Sequence, residues 1–126
     1  MVDKVVLFVC EHGAGRSRLA AAWFDGLSID GWTATSAGME PQAQVSAHAA
    51  RLLVGTPVEG LLDAAPPRSL SAVPAPDVIV AIDCPGSVPG AVRWTLEHQE
   101  FSEAMSEEIR ERAATLVRSL NAGDRP

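Results

Sequence analysis

Cysteine and Arg-Ser separated by five residues, two of them glycines, make a pattern able to do nucleophilic chemistry on an anion. Cys10-Glu11-His12-Gly13-Ala14-Gly15-Arg16-Ser17 has this form, Cys-x5-Arg-Ser. A tight loop that runs into a helix start aims several backbone N–H groups, here those of Glu11, His12, Gly13, Ala14, Gly15 and Arg16, at one spot. The helix dipole adds partial positive charge there. The Arg16 side chain offers a planar two-donor fork to two oxygens of a tetrahedral oxyanion. The same field favours the thiolate form of the sulfur, and the Ser17 hydroxyl is placed to donate a hydrogen bond to it. Cys10 then reads as a nucleophile at the base of an anion cradle. Taken singly, a buried cysteine, a glycine turn and an Arg-Ser helix start are ordinary structural features; their joint spacing at one junction points to chemistry. No Gly-Lys-Ser/Thr follows the glycines, which excludes the nucleotide-binding reading of the loop.

The elements that must position this loop follow from hydrophobic pattern. Lys4 to Val9 is a nearly continuous apolar run, as in a strand buried on both faces. Leu19, Trp23, Phe24 and Leu27 recur at helical spacing from Ser17 onward. Trp32–Ser36 predicts a second strand closed by Ala37-Gly38. Pro41 is read as opening a second helix, with Val45, Ala49, Leu52 and Leu53 on one face and Gly55 ending it. Between Thr56 and Pro76 lie five of the nine prolines, which predicts loop with one short helix near Ser69–Val73. Asp77–Ile82 predicts a third buried strand and Ala91–Leu96 a weaker fourth. The last helix carries Met105, Ile109, Ala113, Leu116, Val117 and Leu120 as a core stripe, Ser102 as cap, Gly123 as stop and a Glu108–Arg112 pair on its outer face. This alternation predicts a single three-layer α/β/α domain with a four-stranded parallel sheet, flavodoxin-like, over residues 1–121, with 122–126 a frayed tail. Such sheets bind ligands beyond the carboxyl ends of their strands. That draws attention to Cys10 and to Asp83-Cys84, which directly follow the two strongest strands.

Length and composition narrow the classes. The 126 residues suit one domain. The net charge of −6, from 10 basic and 16 acidic residues, argues against nucleic-acid binding. No apolar run approaches the ~20 residues that span a bilayer, and the start does not read as a signal peptide. The expectation is a soluble cytoplasmic chain. Two cysteines 74 positions apart, without metal-ligand spacing, point to thiol chemistry or inert burial and to no bound metal.

The stretch Val6-Leu7-Phe8-Val9-Cys10-x-His12-x-Ala14-Gly15-Arg16-Ser17 closely resembles the low-molecular-weight protein tyrosine phosphatase superfamily, specifically its thiol-linked arsenate reductase branch. Thr35-Ser36-Ala37-Gly38, Asp77–Ile82 and Pro89-Gly90 to Trp94 resemble later family segments. The resemblance implies that Cys10 is the nucleophile, Arg16 binds the oxyanion, Ser17 tunes the thiolate and Ser36 supports the loop from behind. It also implies no bound cofactor, but an external thiol reductant: thioredoxin, glutaredoxin or a low-molecular-weight thiol.

Three departures shape the functional expectation. Gly13 stands where the family usually has Asn; it keeps the left-handed backbone but loses a side-chain hydrogen bond, for instance to Ser36, which predicts a looser loop. The Asp-Pro general acid of the phosphatases is missing from Arg93–Glu100, where only Glu97 or His98 is a candidate acid, and Trp94 is the candidate to line an aryl cleft. Cys84 alone follows the third strand as a candidate resolving thiol, with Asp83 expected to raise its pKa; simple packing of Cys84-Pro85 at the sheet's end is the alternative. Glu11 and His12 are expected to point outward, His48 to lie on the surface, and Trp23 to be core. The leading expectation is an arsenate reductase-like enzyme. The alternatives are a phosphomonoester phosphatase and an oxyanion-binding domain with degraded catalysis. The partners expected are an arsenate-, phosphate- or sulfate-type oxyanion and a thiol-redox protein, with no nucleic acid and no membrane.

Overall fold

The computed structural model describes residues 3–27, 30–73 and 75–124, so Pro74 of the proline-rich stretch and Arg125-Pro126 of the predicted tail lie outside the described residues. Strands β1 (Lys4–Cys10), β2 (Trp32–Gly38), β3 (Val78–Ile82) and β4 (Val92–Trp94) form one parallel sheet in the order β2-β1-β3-β4. The helices are α1 (Arg16–Leu27), α2 (Ala47–Leu53) and α3 (Glu103–Asn121). Alternation along β1 sorts its side chains: Val6 and Phe8 join the main core with α1, α2 and α3, while Leu7 and Val9 face a smaller cluster on the other side. That second face is covered by a thinner layer, where Leu70 and Val73 of the predicted short helix, a 3-10 turn at Leu70–Ala72, pack against it. A further 3-10 turn, Glu59–Leu61, is not apparent in the sequence pattern.

β2 runs two residues past its predicted end, because Ala37 and Gly38 pair with Val9 and Cys10. The ends of β1 and β2 are thus flush, and Cys10 emerges beside Gly38. The second helix starts later than Pro41. Residues 39–46 spend their amides elsewhere: those of Met39, Glu40, Gln42 and Ser46 donate to the carbonyls of Cys10, Glu11, His12 and Ala14. A backbone committed to those partners cannot close helical bonds, so α2 begins at Ala47 with Ser46 as its N-cap.

α3 forms as its pattern predicts, capped by the Ser102 hydroxyl, which accepts from the Met105 amide at 3.2 Å. Ala122, Gly123 and Asp124, placed by the sequence in the tail, donate back to Arg118, Leu120 and Ser119 at the helix end. The predicted Glu108–Arg112 pair forms, Arg112 Nε donating to Glu108 Oε2 at 3.1 Å, but Glu108 is largely covered and serves more than this partner. Glu108 accepts from the Glu97 and His98 amides at 2.9 to 3.0 Å and lies 2.9 Å from His98 Nδ1, while Arg112 Nη2 donates to the Thr95 carbonyl. Partial burial works against the charge, but these donors and Arg112 hold the Glu108 carboxyl at about 2. A depressed folded-state pKa gives stability that is present above the ordinary value near 4.5 and lost as pH falls toward 2. Glu108→Gln is therefore expected to destabilise the protein by roughly 1–2 kcal/mol at pH 7, with the gap to wild type closing between pH 4.5 and 2. Urea titrations across that range check it; a gap that stays constant with pH would refute the assignment.

No helix of the described residues is long and apolar enough to cross a membrane.

Candidate active site

The loop between β1 and α1 is built by where its carbonyls go. Those of Cys10, Glu11, His12 and Ala14 accept from the 39–46 segment, that of Gly13 accepts from Arg18 Nε at 2.9 Å, and that of Gly15 accepts from the Arg18 and Leu19 amides at 3.0 Å. In a trans peptide the next residue's N–H lies on the opposite edge from the carbonyl. Six peptide units with outward carbonyls therefore leave the N–H groups of residues 11–16 for the inner face, where α1 also begins.

Cys10 and Ser17 are both buried, and their Sγ and Oγ atoms lie 3.1 Å apart. In the thiol form the sulfur donates; in the thiolate form the hydroxyl donates to it. Gly13 has φ +64°, the left-handed conformation foreseen for it. Its surroundings are tighter than foreseen, however: a Cβ there would sit 2.6 Å from Gly38 N, so backbone packs directly on backbone and the loop is not loosened. The hydrogen bonds that support the loop come from Arg18 and residues 39–46. Ser36 is buried one strand over and contributes its carbonyl to Arg68, at 2.8 Å.

Arg16 lies across the mouth of the loop. Its Nη2 donates to the Gln99 carbonyl at 2.5 Å, its Nε is 3.7 Å from Asp83 Oδ2 without a hydrogen-bond partner, and its guanidinium stands 5.1 Å from the Phe101 ring centre. Asp83 ties this wall together, accepting from the Leu96 amide and from Gln99 Nε2. Phe101 sits so close over Gly15 that a Cβ there would fall 2.4 Å from the ring, and His48 lies 5.8 Å from the same ring. The resulting cleft, roughly 440 Å³, runs from Cys10 past Arg16 and Phe101 to Ser46 and His48.

Several expectations are corrected here. Glu97 and His98 do not line this cleft; Glu108 holds both on the α3 side of their turn. Trp94 is core, 5.6 Å from the Phe8 ring, and the aromatic wall is Phe101. His48 is surface-exposed as expected but also forms part of the cleft wall. Glu11 and His12 do turn outward, the His12 ring meeting the Glu40 carbonyl. Cys84 lies in the smaller core cluster with Leu7, Val9 and Val88, its thiol donating to the Val9 carbonyl at 3.4 Å. Its pKa is raised chiefly by burial, with Cys10 next and Asp83 only a minor cause. Sequence reasoning missed Phe101 and Arg18 and the place of His48 in the cleft wall; the one available signal was an aromatic residue, Phe101, shortly after β4. Among the described residues no group of three or more His, Cys, Asp or Glu side chains is placed to hold a metal ion.

The fold and the loop define a class: parallel α/β proteins with a cysteine-headed strand-to-helix loop at the carboxyl edge of the sheet. No family model and no curated protein matches the sequence. Solved structures do. An arsenate reductase from Archaeoglobus fulgidus is 30% identical, with a TM-score of 0.73 over 90% of this chain and 98% of that one. A thioredoxin-dependent arsenate reductase from Corynebacterium glutamicum is 26% identical, with a TM-score of 0.78; the match covers 98% of this chain and 64% of that longer one. A low-molecular-weight protein tyrosine phosphatase from T. tengcongensis, 20% identical with a TM-score of 0.63, shares the fold. The chain belongs to the low-molecular-weight protein tyrosine phosphatase superfamily.

Proposed function

We propose that the protein is a thiol-dependent arsenate reductase. In this reading the loop amides of residues 11–16 hold arsenate, and Arg16 leaves the Gln99 carbonyl to grip two of its oxygens. The Cys10 thiolate attacks arsenic; an S–As bond forms, an As–O bond breaks, and the departing oxygen leaves as water after taking up a proton. A second thiolate then attacks Cys10 Sγ. An S–S bond forms, the S–As bond breaks, and its electron pair passes to arsenic, reducing As(V) to As(III), which leaves as arsenite. The two sulfurs are the electron source, and a further thiol exchange frees Cys10. Cys84 sits in the core with a raised pKa, so the second thiol is assigned to an external donor.

The observation that carries this reading is the fate of the candidate acids. Glu108 holds Glu97 and His98 away from the cleft. Expelling an alkoxide or phenolate from a phosphoryl group gains ~10²–10⁴-fold from a positioned acid, whereas exchange of a hydroxyl on arsenic expels no such group. Arsenite formation with thioredoxin, glutaredoxin and low-molecular-weight thiol systems, beside hydrolysis of an aryl phosphate, tests the reading. Arsenite is expected with at least one donor, with aryl phosphate hydrolysed at least about 100-fold more slowly. No arsenite with any donor overturns it; aryl phosphate turnover would then favour the phosphatase, and phosphate binding alone the oxyanion-binding domain.

A further inference from the structure

The main core contains one charge that the reaction above does not use. Arg18, on the first turn of α1, is 1% exposed, and its side chain is fully enclosed. Nε donates to the Gly13 carbonyl at 2.9 Å, Nη1 donates to the Asp63 carbonyl and lies 3.7 Å from Asp63 Oδ1, and Nη2 is buried without a partner. A fully buried guanidinium is expensive unless paired, and here the pairing is incomplete. Asp63 gives its closer contact, 2.7 Å, to Arg68, and its side chain is 41% exposed. Two guanidinium groups thus share one carboxylate, leaving an excess positive charge behind the loop. Burial lowers the pKa of Arg18; Asp63 raises it, Arg68 lowers it and Cys10 raises it.

We propose that Arg18 is a positioning residue for oxyanion binding: it fixes the Gly13–Ala14 peptide so that the Ala14 amide faces the cradle, and it supplies a desolvated positive charge beneath the bound anion. The Nε bond sets the peptide's orientation directly. The charge acts through a low-dielectric interior, where it is screened far less than one at the surface. The proposal rests on the loop being an oxyanion cradle, but not on arsenate being its guest.

The test uses inorganic phosphate as probe, with iodoacetamide alkylation of Cys10 at pH 7 as a second readout, on the full-length protein in low salt. Arg18→Met is expected to weaken phosphate binding at least 10-fold and to slow Cys10 alkylation. Asp63→Asn separates charge from scaffolding and decides the matter if Arg18→Met does not fold. It removes the compensating carboxylate and leaves Arg18 in place, so it should lower thermal stability yet tighten phosphate binding about 2–5-fold. Wild-type affinity in Arg18→Met, or weaker binding in Asp63→Asn in step with its lost stability, overturns the role assigned to Arg18. A wild-type protein that binds no phosphate overturns the cradle itself, whatever the variants do.

Discussion

Cys10→Ser is expected to abolish thiol-dependent arsenate reduction, lowering turnover by at least ~10³-fold, while phosphate binding survives within a few-fold. The asymmetry follows from how the site divides its work. In the proposed reading the donors to the anion are the backbone amides of residues 11–16, whose orientation depends on carbonyls bonded outward and not on the sulfur. The serine hydroxyl is not ionised at neutral pH, and an oxygen in place of Sγ cannot give up the electron pair that reduces arsenic. Ser17 contacts Cys10 at 3.1 Å, and that contact would persist as an O–H···O bond. Cys84→Ser is the informative contrast and should keep activity within about threefold. Its thiol is packed with Leu7, Val9 and Val88, and burial pushes it away from the thiolate form that attack requires. Steady-state arsenite release by both variants, with phosphate affinity measured in parallel, checks this. Retained turnover in Cys10→Ser would remove the nucleophile from the mechanism. Loss of turnover in Cys84→Ser, with phosphate binding intact, would transfer the second thiol to Cys84 and require residues 83–88 to open during the cycle.

What the chain discloses before folding depends on how local the physics is. The first and third strands are apolar runs with few other fates, and the Cys10–Ser17 loop is legible because its donors, sulfur and helix start lie within eight consecutive residues. The acid question was not legible. Whether Glu97 or His98 faces the anion is decided by Glu108, a residue on the following helix that takes both their amides. The start of α2 failed for a related reason: Pro41 reads locally as a helix opener, yet the amides around it are drawn to loop carbonyls about thirty residues earlier, from Met39 to Cys10 through Ser46 to Ala14. Phe101 and His48 meet only through tertiary packing, and no periodicity puts them against Gly15 or each other. Arg18 is the sharpest case. An arginine on the first turn of a helix reads as a solvated charge, and only the fold shows that the Gly13 carbonyl and Asp63 enclose it.

The close approach of Gly13 to Gly38 leads to the second large effect. Gly13→Ala is expected to destabilise the protein by about 2–5 kcal/mol and to cost at least ~10-fold in phosphate affinity, through two separable causes. The first is backbone strain: alanine at φ +64° costs about 1–2 kcal/mol. The second is steric, because the new Cβ would lie 2.6 Å from Gly38 N and 2.9 Å from Ala37 C. Neither atom can yield cheaply. Both belong to β2, whose register to β1 pairs Ala37 with Val9 and Gly38 with Cys10. Relief must come from the loop, by turning the Gly13–Ala14 peptide, and that withdraws the Ala14 amide from the cradle. Gly90→Ala is the control that isolates the first cause, since Gly90 has φ +75° but nothing within 4 Å of an added Cβ. It should lose about 1–2 kcal/mol and bind phosphate normally. Thermal melts of both variants with and without phosphate separate the terms. Gly13→Ala should melt well below Gly90→Ala and lose most of the upward shift that phosphate produces in wild type. Equal melting temperatures with an undiminished phosphate shift would mean that β2 does not brace the loop through this contact, and that the cradle keeps its shape without it.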